Sequence, residues 1–128
     1  MSQRRGIAGP AMFIVVAQLC LLVHFEPVHG VTYLVNGGAG WNSNQNVSNW
    51  PNGKHFKAGD KLVFNYDKSL HDVAVVNQDG YNSCKTPAGS KVFHTGLDAI
   101  TLPKGQNYFI SDFPGDCDSG MKITVNAE

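Results

Sequence analysis

What most limits the fold of this chain is the length and rhythm of its apolar runs. The segments "VTYLVN", "KLVFNY", "HDVAVVN", "AITL", "QNYFIS" and "MKITVN" are four to seven residues long, with turn-forming residues between them. Several alternate with a period of two: Leu62, Phe64 and Tyr66; His71, Val73 and Val75; Met121, Ile123 and Val125. "KAGD" and "QDG" read as turns, and no run has a helical period, a heptad or an internal repeat. Short strands about ten residues apart predict an all-β sandwich or small barrel. The longest interval, "GGAGWNSNQNVSNWPNGKHF", reads as a loop with room for one helical turn. Its Trp41 and Trp50, with the phenylalanines, are expected to fill or cap the core.

Residues 1–30 form a separate unit. Arg4 and Arg5 precede a 13-residue apolar run, and Gly30 closes the segment. This pattern predicts a secretory signal peptide, the alternative being a single-helix anchor. The run is short for a comfortable membrane span. Residues 31–128 then form one domain with eight lysines, no arginine, nine acidic side chains and two cysteines, a formal charge of −1. No basic patch points to nucleic acid or to an anionic membrane. No second apolar segment and no lipid-anchor tail follows, so the expected product is secreted, extracellular, unanchored and monomeric. In such a setting Cys84 and Cys117 read as one disulfide, with metal ligation by the thiols as the alternative. Asn46-Val47-Ser48 is a glycosylation sequon.

Conventional catalytic sets are missing: no G-x-S-x-G, no H-E-x-x-H, no phosphate-cradling glycine loop and no free thiol. The chain is therefore not expected to be an enzyme. Of the three histidines after residue 30, His55 sits in a polar turn and His94 follows Val92 on an exposed strand face. His71 opens a strand among valines, where a lone histidine is ordinarily structural. In "YFISDFPGDCDSGMKI", Ser111, Asp116 and Met121 fall at five-residue intervals around a Phe-Pro-Gly turn.

The ordered set "GGAGW", "NWPNGKHFKAGDKLVFNY", "HDVAVV", "YNSC", "KTPAGSKVF", "GQNYFI" and "FPGDCDSGMKI" resembles the plant phytocyanins, and among them the plantacyanin or basic blue protein pattern. The resemblance covers essentially all of residues 31–128. It implies a Greek-key cupredoxin sandwich and a Cys84–Cys117 bridge. It also implies one copper ion held at the positions of His71, Ser111, Asp116 and Met121. Family members carry cysteine at the Ser111 position and histidine at the Asp116 position, so only His71 and Met121 match.

A blue copper site needs two imidazoles and a thiolate, with methionine as a weak axial partner. A neutral serine hydroxyl is too hard and too weak a donor to replace the thiolate. His71 and Asp116 alone give a divalent ion little affinity. The expectation is therefore no bound cofactor, although copper is the family's metal. The Asp112, Asp116 and Asp118 cluster is expected to make this end acidic. The reading is a secreted, copper-free binding or signalling module of the plant cell wall or apoplast. Cell-wall polysaccharide, arabinogalactan or a receptor ectodomain are the candidate partners. The alternative is a blue copper electron carrier.

Overall fold

The computed structural model describes residues 30–44 and 47–128. The expected leader, apart from Gly30, and the sequon's Asn46 lie outside the described residues. Among the described residues, no helix is long and apolar enough to cross a membrane.

Two sheets face each other. The smaller contains β1 (Thr32–Leu34), β2 (Lys61–Asn65) and β5 (Leu97–Thr101) in the order β1-β2-β5. The larger contains β3 (Val73–Val76), β4 (Lys91–Phe93), β6 (Gly105–Ile110) and β7 (Lys122–Ala127) in the order β4-β3-β6-β7. β1 runs parallel to β2, and every other strand pair is antiparallel. The chain crosses between sheets after β2, β4 and β5. That connectivity makes a Greek-key sandwich of the expected all-β, cupredoxin type.

Period-two alternation decides which residues face inward. On β2, Leu62 and Phe64 are buried while Lys61 and Asn65 face out, and on β7 Ile123 and Val125 are buried. Trp41, Phe64 and Phe109 form an aromatic column between the sheets, with centroids 5.1 Å and 5.3 Å apart. Fully burying such rings contributes about 1.5–3 kcal/mol each. The buried indole needs an acceptor for its one N–H, and the Asp72 carbonyl supplies it at 2.9 Å. Gly40 makes this seat possible: at φ 76° its missing Cβ leaves room for the Asn65 carbonyl, which takes the Trp41 N–H at 2.9 Å.

Tyr66, just past β2, ties three strands together. Its hydroxyl lies 2.5 Å from an Asp98 carboxylate oxygen and 3.1 Å from the Phe93 carbonyl. Burial, and then the bond to Asp98, push this phenol up to about 12.

Several details differ from the sequence reading, and one concerns His71, which lies in the turn two residues before β3 rather than opening the strand. The supposed turn at "QDG" is a helix, α1 (Gln78–Ser83), started by Asn77 Oδ1 accepting the Gly80 N–H at 2.8 Å. It ends at Cys84 in the left-handed conformation, and the Cys84–Cys117 disulfide fastens it to the β6–β7 loop. The long loop carries two 3-10 turns, Gly37–Ala39 and Val47–Asn49, rather than one. His94 lies past the end of β4 instead of on a strand face.

The bridge closes a 33-residue separation, which constrains the unfolded chain by about 3–4 kcal/mol. Replacing both cysteines by serine should lower unfolding free energy by that amount in urea titrations. A loss below about 1 kcal/mol would show that α1 and the β6–β7 loop are held by packing instead.

Candidate functional site

One end of the sandwich is built from the segment leading into β3 and from the loop joining β6 to β7. His71 is delivered by a tight turn in which Asp67 caps the Ser69 N–H at 2.9 Å and its carbonyl accepts the His71 N–H at 3.0 Å. Ser111 directly follows β6, and its N–H continues the ladder to the Met121 carbonyl at 3.1 Å. Asp116 lies in the intervening loop, its N–H bonded to the Phe113 carbonyl and its carbonyl accepting from Met121 N–H at 3.0 Å.

The geometry centres on one carboxylate oxygen. Asp116 Oδ2 lies 2.7 Å from His71 Nδ1 and 2.7 Å from Ser111 Oγ. The Ser111 hydroxyl donates to it, and His71 in its Nδ1–H form does the same. The His71 and Asp116 side chains are only 9% and 13% exposed, so the pair is largely removed from water. A long 3.5 Å contact from Asp72 N–H reaches Ser111 Oγ. The result is a chain from Asp72 through Ser111 to Asp116, with His71 entering from the other side. It differs from a nucleophile–base pair: the serine donates to a carboxylate, and the imidazole does not touch it.

Met121 is completely buried and contacts the site through its backbone, packing within the main core. Cys117 Sγ is spent in the disulfide. The donors present are therefore one imidazole, one hydroxyl, one carboxylate and an enclosed thioether. This set does not fit a blue copper centre, which needs a thiolate and two imidazoles. Among the described residues, no group of three or more His, Cys, Asp or Glu side chains comes together in a way that could hold a metal ion.

The acidic cluster is only partly a surface feature. Asp112 and Asp118 are exposed, whereas Asp116 is turned inward to its partners. The sequence reading missed Asp72, whose carboxylate accepts the Asp112 N–H at 2.6 Å and so joins the two halves of the site. Its one signal was its place directly after His71. Burial raises the Asp72 pKa, helped by the charges of Asp112 and Asp116, against the Asp112 N–H bond and the charge of His94. His55 is exposed and belongs to a different region, the turn before Phe56.

Two outcomes follow from this arrangement. Asp116→Ala leaves His71 and Ser111 without their acceptor and should cost about 1–3 kcal/mol in chemical denaturation. Ser111→Ala removes a donor along with part of its need and should cost less. For Asp72 the folded state holds its proton to higher pH than the unfolded state does. Its contribution to stability is therefore present in acid and lost as pH rises through the folded value, above the ordinary 3.8. Asp72→Asn keeps an acceptor for Asp112 N–H and removes that loss. Compared by urea midpoint, the variant should gain on the native chain between pH 4 and pH 7; a relative loss over that range would contradict the assignment.

A family model described as a plastocyanin-like domain matches residues 41–121. The chain is 58% identical over 95 residues to a basic blue protein of Cucumis sativus, covering 74% of this chain and 97% of that protein. To a basic blue protein of Arabidopsis thaliana it is 45% identical over 130 residues, covering 99% of each. Among solved structures it is similar to cucumber basic protein, a blue copper protein, with a TM-score of 0.74 at 57% identity. That alignment covers 77% of this chain and 100% of the other. The chain belongs to the plastocyanin-like domain family of phytocyanins.

Proposed function

We propose that this chain is a secreted phytocyanin that has lost type 1 copper binding and acts as an extracellular binding or signalling module of the plant cell wall or apoplast. The observation that carries the reading is the double engagement of Asp116 Oδ2 by His71 and Ser111, each at 2.7 Å. In the family pattern, Ser111 and Asp116 stand at the thiolate and second imidazole positions. The chain's own hydrogen bonds satisfy these side chains, and the soft donor that would hold Cu(I) is missing.

Under this reading His71 and Met121 are vestigial ligand positions. Recognition falls to the exposed parts of the same end, where Asp112 and Asp118 stand beside Phe113 and Pro114. Candidate partners are a cell-wall polysaccharide, an arabinogalactan or a receptor ectodomain. The competing reading is a blue copper electron carrier, and the names of the relatives favour it. Against it stands the donor set.

Copper reconstitution separates the two. Residues 31–128, with the disulfide formed, should stay colourless on addition of Cu(II). An intense blue thiolate-to-copper band with reversible reduction would overturn the proposal. Ser111→Cys combined with Asp116→His should create that band, and a folded but colourless double variant would refute the ligand mapping.

A further inference from the structure

A second feature lies toward the opposite end of β7 from Met121 and is independent of the copper question. β7 is an edge strand of its sheet. Ser111 N–H bonds to the Met121 carbonyl, so Met121, Ile123, Val125 and Ala127 turn their main-chain groups toward β6. The groups of Thr124, Asn126 and Glu128 therefore face away from β6, on the side that the 3-10 turn Val47–Asn49 approaches. Glu128 is covered: its N–H reaches the Phe56 carbonyl at 3.0 Å and its carbonyl accepts from Ala58 N–H at 2.9 Å. Beyond the parallel Phe56–Ala127 bridge, the partner segment peels away. The Thr124 N–H and C=O and the Asn126 N–H have no hydrogen-bond partner among the described residues.

The departure of that segment has a local cause. Asn52 N–H bonds to the Asn49 carbonyl and Lys54 N–H to the Pro51 carbonyl, two successive turns that Gly53 completes at φ 80°. Lys54 Nζ lies 5.1 Å from the Trp50 ring centre and donates to the Trp50 carbonyl at 3.1 Å, holding the turn off the strand. A cleft of about 360 Å³ opens between them, lined by Asn52, Lys54 and His55 on one wall and Thr124, Asn126 and Glu128 on the other.

We propose that this cleft is a strand-addition site that takes an extended, polar peptide segment of about three residues, the span of two edge residues at about 3.3 Å each. The main-chain groups of Thr124 and Asn126 supply the ladder, while the amides, Lys54 and His55 select polar side chains. A peptide fits better than a rigid ring ligand because donors and acceptors recur at the strand repeat along one wall. The Phe56–Ala127 bridge closes one end, which limits the length of segment that can pair.

The test is an NMR titration of the full chain, expressed for export with its disulfide formed. The probe is a pool of capped pentapeptides, Ac-X-Val-X-Thr-X-NH2, with X randomised over polar residues. The Thr124 and Asn126 amide signals should move, and their hydrogen exchange should slow by about ten-fold or more, as for amides entering a ladder. Thr124→Pro removes the outward N–H while sparing the β6 ladder and should weaken binding by about ten-fold. If that variant does not fold, Asn52→Trp, which fills the cleft from the other wall, must weaken binding equally. No movement of the two amides at millimolar peptide overturns the proposal. So does equal binding by pentapeptides N-methylated at alternate amides. Concentration-dependent self-association that protects the same amides without peptide would assign the edge to a second copy and overturn it as well.

Discussion

The single N–H of Trp41 organises much of the molecule. An indole with no solvent exposure must find an acceptor inside, and leaving it unpaired would cost about 1–3 kcal/mol. The acceptor is the Asp72 carbonyl, on the residue before β3. One hydrogen bond thereby anchors the long Asn-rich loop, sets the column of Trp41, Phe64 and Phe109, and fixes where β3 begins. His71 and the Asp72 carboxylate inherit their positions from it.

At that end a carboxylate acts as the junction. Asp116 draws together the chain before β3 through His71 and the end of β6 through Ser111, while Asp72 pins Asp112 from the other side. Two segments some 40 residues apart in sequence, His71–Asp72 and Ser111–Asp116, meet over a few ångströms, through short bonds in a largely dehydrated setting where each is electrostatically stronger than in water. The same enclosure explains why Met121 is a core residue. Its side chain packs with Ile123 and Val125 as the alternation of β7 requires.

The strand pattern was legible because alternation is a local property: Leu62 and Phe64, and Ile123 and Val125, announce their inner face in the residues themselves. Helix α1 was not legible. Its six residues are too few to display a helical period, and it owes its existence to the Asn77 cap and to a disulfide partner 33 residues away. Among the site residues, His71, Ser111, Asp116 and Met121 could be singled out from the spacing of one loop and from resemblance. Asp72 could not, because its importance lies in reaching Asp112 across 40 residues. The edge left unpaired at Thr124 and Asn126 among the described residues was equally hidden, since such an edge depends on what does not pair with it.

By itself, then, the sequence determined the all-β class, the inward faces of the strands, the cysteine pair and the chemical identity of the four side chains at the β3 and β6–β7 end. These follow from residue type and near-neighbour spacing. Only the tertiary structure decided that His71 and Ser111 share one oxygen of Asp116, that Met121 is sealed within the core, and that the Pro51–Lys54 turn stands off β7 to leave a cleft. Hydrogen bonds act over about 3 Å, and the partners in these contacts lie up to several dozen residues apart in the chain. Their meeting is set by sheet order and loop closure, which no local pattern encodes.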